Sequence, residues 1–112
     1  MFSDTLINLI RNAVEATPKK GTLTFVTREI FIRNTPGVEI VISDTGQGIP
    51  QDTLPKIFEL FFTTKTQGLG LGLWRDRVFI KRLGGDIEVK SQVERGTTFV
   101  IKIPANAESI NN

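Results

Sequence analysis

The length, composition and charge of this chain exclude several classes of protein. Its 112 residues allow one folded domain with a single core, and its shares of hydrophobic (39%) and charged (23%) residues are typical of a globular protein. It contains neither cysteine nor histidine, which excludes disulfides, thiolate metal sites and acid–base chemistry by an imidazole of its own. A formal charge of only +2 gives little support for nucleic-acid binding.

The sequence also predicts no contact with a membrane. No apolar run approaches the roughly 18 residues that a transmembrane helix needs. The start, "MFSDTLINLIRN", lacks the basic segment and the small-residue cleavage site of a signal peptide. We therefore expect a cytoplasmic domain.

The first predicted element is an amphipathic helix over residues 3–17, with Ser3 or Asp4 as its N-cap. The apolar stripe of this helix consists of Leu6, Leu9, Ile10 and Ala13. Ile7 and Val14 widen it. Asn8, Asn12 and Glu15 fall on the far side and should face away from the core centre. Asparagine is a poor helix former because its amide competes for backbone groups, so two of them on one face indicate a function.

Two strands should follow the helix and pair as a hairpin. Residues 22–32 and 38–44 alternate apolar and polar side chains, and "RNTPG" (33–37) between them is typical of a turn. Residues 51–62 then predict a short helix broken around Pro55, and "TTKTQGLG" predicts a loop.

The last part of the chain predicts a second helix and a second hairpin. The helix covers residues 70–83 and is stopped by Gly84 and Gly85. Strands over 86–92 and 97–104 flank the turn "VERG", and residues 105–112 form a polar, disordered tail. This order of elements predicts an α+β two-layer sandwich, with a mixed, largely antiparallel sheet and its helices on one face.

Three short stretches carry side chains suited to binding, although each also has a plain structural explanation. The amides of Asn8 and Asn12 suit Mg²⁺ beside phosphate oxygens, or simply form a solvated helix face. In "DTGQGIP", Asp44 ends a strand and could accept a hydrogen bond from the exocyclic amine of adenine, or the stretch is only a tight turn. In "GLGLGL" (68–73), alternate glycines opening a helix suit phosphate, or form a flexible loop.

In their order along the chain these stretches resemble the catalytic ATP-binding domain of sensor histidine kinases. This family belongs to the wider group that contains DNA gyrase, the Hsp90 chaperone and the MutL mismatch-repair protein. "NLIRNAVEA" resembles the N box, "DTGQGIP" the G1 box, "IFELFF" the F box and "GLGLGL" the G2 box, with "RGTTF" after them. The likeness runs from Leu6 to Pro104 and implies a Bergerat-type ATP-binding fold over residues 1–104.

The resemblance implies a role for each matching position at the two ends of the nucleotide. Asn12 would be the Mg²⁺ ligand, and Asn8, one turn earlier, would help to position metal or phosphates. Asp44 would accept the adenine amine, with Gly46 and Gly48 letting the base and the neighbouring backbone close up.

Further positions would form the lid and line the nucleotide. Phe58, Phe61 and Phe62 would anchor a lid over residues 62–70, and either Thr97 or Thr98 would line the adenine end. Lys65 could reach the γ-phosphate or remain a solvated loop lysine. The G2 residues that would wrap the phosphates are Gly68, Gly70, Leu71, Gly72 and Leu73.

The resemblance also discriminates among reactions. ATP-hydrolysing relatives have a glutamate one turn before the metal-binding asparagine, and here that position is Asn8, which cannot act as a base. Glu15 is expected to be a surface residue. Hydrolysis should therefore be slow, and the γ-phosphoryl group should pass to a histidine on a separate dimerisation domain, as in two-component signal transduction.

On this interpretation the chain is the catalytic domain of a protein histidine kinase, with ATP and Mg²⁺ as cofactors. Its partners would be the histidine-containing dimerisation domain of the same kinase and, indirectly, a response regulator. Two alternatives stay open, an ATPase or conformational clamp of the gyrase and chaperone type, and a non-catalytic nucleotide-binding or docking module.

Overall fold

The computed structural model describes residues 2–59 and 72–105. Within these ranges the elements in chain order are α1 (Phe2–Ala16), β1 (Leu23–Ile32), β2 (Thr35–Asp44), a 3₁₀ helix (Leu54–Lys56), α2 (Gly72–Arg82), β3 (Asp86–Gln92) and β4 (Gly96–Pro104). None of the helices in the described ranges is long and apolar enough to cross a membrane. The predicted tail falls almost entirely on residues 106–112, outside the described ranges.

The four described strands form one antiparallel sheet in the order β1-β2-β4-β3. Strand β4, the last in the chain, lies between β2 and β3. Helix α1 packs on β2, helix α2 packs on β3, and the two helices contact each other. The predicted α+β fold with a largely antiparallel sheet is confirmed.

The core lies between the two helices and one face of the sheet. Ile101 is at its centre, fully buried, and pairs with Ile40 on one side and Ile87 on the other. Leu9 from α1 and Ile80 from α2, both fully buried, cover this row. Because a buried Leu or Ile side chain contributes roughly 1.5–3 kcal/mol, this apolar layer is what holds both helices on the same face.

Helix α1 buries a narrower stripe than the sequence predicts. Leu9 and Ala13 are buried, whereas Ile7 and Val14 are 52% and 55% exposed. The helix packs against one strand and one other helix, so only the centre line of its apolar face meets the core. The side of α1 next to this stripe contacts α2 through Asn8, as described below.

The predicted turn between β1 and β2 is wrong in its length. The turn consists of Arg33 and Asn34 alone, with φ of 50° and 64°, and β2 already begins at Thr35. Two consecutive residues with positive φ match the twist of a tight hairpin. Pro36 is tolerated in β2 because it precedes Gly37, the first residue of β2 that pairs with β4.

Glycines end helix α2 as predicted. Gly84 has φ of 84°, and the N–H of Gly85 bonds to the carbonyl oxygen of Ile80 at 3.0 Å, the pattern of a Schellman cap. A Cβ on Gly85 would lie 2.2 Å from the carbonyl oxygen of Lys102, so the connection into β3 passes close to β4. The helix predicted over 51–62 is reduced to the 3₁₀ helix around Pro55, and residues 60–62 lie outside the described ranges.

Candidate functional site

Asp44 ends β2 and presents a carboxylate at the end of the sheet. Its side chain is buried, at 6% exposure, and its Oδ1 accepts a hydrogen bond of 2.8 Å from the N–H of Gly46. Oδ2 has no hydrogen-bond partner among the described residues. Every fully buried side-chain oxygen or nitrogen in the same residues does have a partner, so Oδ2 is not fully buried. Oδ2 therefore opens to the outside as an acceptor.

A row of three polar side chains crosses the sheet at this end. Thr97 is paired with Asp44 across β2 and β4 and with Ser91 across β3 and β4. Antiparallel partners point to the same face, so all three share the face that the helices cover further along. Of the two threonines left open by the sequence, Thr98 lies on the opposite face, where its hydroxyl is 2.8 Å from that of Ser43.

Ser91 ties the loop after β2 to the second hairpin. Its Oγ donates to the carbonyl oxygen of Gly96 at 2.9 Å and accepts from the N–H of Ile49 at 2.7 Å. The Thr97 hydroxyl oxygen lies 2.8 Å from the same Oγ. Because the only hydrogen of the Ser91 hydroxyl is in the bond to Gly96, Thr97 is the donor in the bond between the two hydroxyls. Gln51 Nε2 adds a bond of 2.8 Å to the Ser91 carbonyl oxygen.

Two glycines allow the loop and the hairpin to touch. Gly48 has φ of 76°, and a Cβ there would lie 2.1 Å from the carbonyl oxygen of Gln92. Gly96 has φ of 125°, and its Cβ would lie 1.9 Å from the carbonyl oxygen of Asp44. The close approach expected at Gly48 is thus an approach of backbone to backbone, which holds the Asp44 loop in place.

The two asparagines of α1 are half-buried, and Asn8 contacts helix α2. The sequence predicts that both face away from the core centre, and the neighbour that Asn8 meets lies 68 residues further along the chain. Asn8 Nδ2 donates to Oδ2 of Asp76 at 2.6 Å. Asn12 follows one turn later on the same side of the helix.

Asp76 is a buried carboxylate, 4% exposed, on the face of α2 that meets α1. Burial raises its pKa to about 6, against the opposing effects of the Asn8 hydrogen bond and the positive charge of Arg75. The raised pKa shows that the protein environment disfavours the charged form of this group.

Phe58 anchors the segment that precedes the undescribed residues. Its ring meets Phe99 edge-on, with centroids 6.4 Å apart, and the Arg77 guanidinium lies 5.4 Å from its centroid. Gly72 begins α2, and Leu73 packs against the core. The other lid and G2 residues of the prediction lie outside the described ranges: Phe61, Phe62, Lys65, Gly68, Gly70 and Leu71.

A groove of about 740 Å³ opens at the same end of the sheet, but toward its other face. Its lining includes Asp44, Ser43, Thr98 and Lys90, and neither asparagine. The groove therefore shares Asp44 and Ser91 with the candidate site, whereas the asparagine end lies outside its lining. The described residues hold no cluster of three or more carboxylates that could bind a metal.

Three residues of this arrangement were not singled out from the sequence. Gly96 lies within "RGTTF", where a glycine after a charged residue signals only a turn. Ser91 is an ordinary serine in a strand, and Asp76 lies within "WRDR", which is typical of an exposed helix face. Their roles depend on contacts with residues far away in the sequence.

Comparison with known proteins agrees with this architecture. Residues 2–107 match the family described as histidine kinase-, DNA gyrase B-, and HSP90-like ATPase. The chain belongs to this family. The recognition made from the four motifs is thereby confirmed.

Among curated relatives of this ATPase family member are several bacterial sensor kinases. It is 39% identical to the sensor protein FixL of Bradyrhizobium diazoefficiens, over 96% of this chain and 21% of that protein. It is 43% identical to the sensor kinase CckA of Brucella abortus, over 92% of this chain and 12% of that protein. The chain thus spans about a fifth or less of these relatives.

Solved structures of histidine kinases are similar to this chain in fold as well as in sequence. The catalytic domain of histidine kinase ThkA, nucleotide free, superposes with a TM-score of 0.78 at 36% identity, covering 92% of this chain and 65% of that chain. Full-length ShkA in complex with AMPPNP superposes with a TM-score of 0.73 at 30% identity, covering 89% of this chain and 20% of that chain.

Proposed function

We propose that this domain binds ATP with Mg²⁺ in the cytoplasm and transfers the γ-phosphoryl group to a histidine on the dimerisation domain of the same kinase. The observation that carries the proposal is the outward-facing Oδ2 of Asp44 beside Thr97, in a chain of the histidine kinase-like ATPase family. Its structural neighbours, a histidine kinase catalytic domain and full-length ShkA in complex with AMPPNP, support the same conclusion.

At the adenine end, Asp44 would accept the exocyclic amine through Oδ2 while Oδ1 stays bonded to Gly46. Thr97 already donates to Ser91, so its oxygen remains an acceptor next to the base. The hydrogen bond from the Gly46 N–H orients the carboxylate, and the close approach of Gly96 to the Asp44 carbonyl group holds the backbone of the same residue.

At the phosphate end, the amide oxygen of Asn12, assisted by Asn8, would hold Mg²⁺ together with phosphate oxygens. The glycines of "GLGLGL" would give their N–H groups to the phosphates, and Lys65 would add a positive charge. The acceptor imidazole would form a P–N bond to the γ-phosphorus as the bond to the bridging oxygen of the departing ADP breaks. Such transfers need positioning and charge neutralisation more than a protein base.

Calorimetric titration with AMPPNP and Mg²⁺ tests the binding half of the proposal. We expect Asp44→Asn to weaken binding about 10- to 100-fold, because a hydrogen bond to a charged group is worth roughly 1.5–3 kcal/mol. The matched control is Asp52→Asn, an exposed carboxylate on the following loop, which should leave affinity unchanged. Equal affinity of Asp44→Asn and the unaltered domain would favour the non-catalytic docking alternative.

Incubation with the dimerisation domain and γ-labelled ATP tests the transfer half. The expected product is a labelled partner whose label is lost in acid and kept in alkali, as phosphohistidine requires. The gyrase-like alternative predicts instead an appreciable ATP turnover by the domain alone that disappears in Asn8→Ala. A label that survives acid as well as alkali contradicts the histidine kinase proposal.

A further inference from the structure

The contact between Asn8 and Asp76 is unusual for a contact between two helices. Elsewhere α1 and α2 meet the core through apolar side chains, among them Leu9, Ala13 and Ile80. Here a carboxylate is almost fully buried, and its Oδ2 accepts a hydrogen bond of 2.6 Å from Asn8 Nδ2.

Stability alone does not explain a carboxylate at this position. Taking a charge out of water is costly, and an apolar residue of similar volume would pack the two helices at least as well. Asp76 is only 4% exposed and bears this cost in the native fold. A side chain that is retained against such a cost is best explained by what it does to its neighbour.

An ionised carboxylate fixes the orientation of the amide that is hydrogen-bonded to it. It accepts hydrogen bonds and donates none, so the Asn8 carboxamide must present its nitrogen to Asp76 and direct its Oδ1 elsewhere. A serine or an asparagine at position 76 could both donate and accept, and would leave the amide free to flip. Asn8 therefore has a determined oxygen side, on the helix face that it shares with Asn12.

We infer that Asp76 is a positioning residue, which holds the Asn8 carboxamide with its oxygen toward the nucleotide-bound cation or that cation's water. This inference rests on the proposed function and makes it more specific. Asn8 serves the metal rather than the phosphate oxygens, since its oxygen cannot bond to another acceptor. Asp76 itself touches neither ligand and acts through Asn8.

The test measures how strongly Mg²⁺ increases the affinity for AMPPNP, by titrating the analogue with Mg²⁺ and with EDTA. We expect Asp76→Asn and Asp76→Val to raise the Mg²⁺ concentration needed for half-maximal enhancement at least fivefold. Affinity without metal should stay within about twofold, because the adenine end is untouched. Asp86→Asn, at a half-exposed carboxylate on β3 that pairs with Lys81, is the control and should change neither quantity.

A double-mutant comparison and a spectroscopic signature separate positioning from a merely structural role. Asn8→Ala should show the same loss of metal dependence, and Asp76→Val combined with Asn8→Ala should be no worse than Asn8→Ala alone. In ¹⁵N spectra, the side-chain amide resonance of Asn8 should shift in Asp76→Val while the backbone amide spectrum of the sheet is retained.

The possible results separate the inference from the proposed function. If Asp76→Asn and Asp76→Val keep the metal dependence while Asn8→Ala loses it, the inference is overturned. The same holds if the Asp76 variants lose metal-free affinity as much as metal-dependent affinity. If the unaltered domain does not bind AMPPNP under any condition, the proposed function fails, and this inference fails with it.

Discussion

The two ends of the candidate site are built in different ways. At the Asp44 end, register within the sheet, backbone contacts at Gly48 and Gly96, and the hydroxyl of Ser91 hold the acceptor in place. At the asparagine end, one side-chain hydrogen bond between two helices does the same task, with a buried carboxylate as its acceptor. We expect the geometry of the Asp44 end to change only when a substitution creates a steric clash. We expect the asparagine end to be sensitive to the charge of Asp76 and therefore to pH.

The largest effect is expected where backbone approaches backbone. Gly96→Ala would place a Cβ 1.9 Å from the Asp44 carbonyl oxygen at φ of 125°, which no small side-chain movement relieves. We expect the free energy of unfolding to fall by about 3 kcal/mol, measured by urea denaturation. Gly84→Ala is the matched control, since φ there is also positive but its Cβ meets only Pro104 at 3.5 Å, and it should cost about 1 kcal/mol.

A cost for Gly96→Ala no greater than that for Gly84→Ala would show that the Asp44 loop is free to move away from the hairpin. The rigid description of that end would then be wrong.

The next effect belongs to the asparagine end and depends on pH. The pKa of Asp76 is raised to about 6 in the native state, from an ordinary value near 4 in the unfolded chain. Between about pH 4 and pH 6 the native state therefore holds this proton more tightly than the unfolded chain does. The contribution of Asp76 to the free energy of unfolding therefore falls as pH rises through this window. We expect a loss of about 2 kcal/mol by pH 7, at roughly 1.4 kcal/mol per pKa unit with some relief from water.

The measurement is the difference between denaturation curves of the unaltered domain and Asp76→Asn from pH 3.5 to 7.5, without metal or nucleotide. The difference isolates Asp76 from Glu39 and Asp86, whose pKa values are lowered, mainly by Arg28 and Lys81 respectively, and whose contributions change in the opposite direction. A pH-independent difference contradicts the prediction.

The smallest effect should come from the hydroxyl that joins loop and hairpin. Ser91→Ala leaves the N–H of Ile49 without its acceptor, which should cost about 1.5 kcal/mol. Ser43→Ala removes a half-buried hydroxyl on the opposite face with one partner and should cost less than about 0.5 kcal/mol. Thermal unfolding of both variants gives the comparison, and equal costs would mean that Ser91 is no special anchor.

Local patterns predicted the elements better than they predicted contacts. Strand β3 has the predicted bounds, 86–92, because Gly85 precedes it and a tight turn follows. Strand β2 begins three residues before the predicted position, since Pro36 and Gly37 have the composition of a turn while the turn itself is Arg33 and Asn34. Turn composition indicates that the chain reverses, but pairing decides where.

The sequence by itself determined the order of helices and strands and the kinds of atom that the candidate site offers: a carboxylate, two amides and glycine backbone. These follow from side-chain chemistry and periodicity, which act over a few residues. Only the tertiary structure decided that Thr97 rather than Thr98 lies beside Asp44, that Ser91 bonds to Ile49, and that Asn8 meets Asp76. Strand register and helix packing set those neighbours, because they depend on how the whole core closes and not on any short stretch of chain.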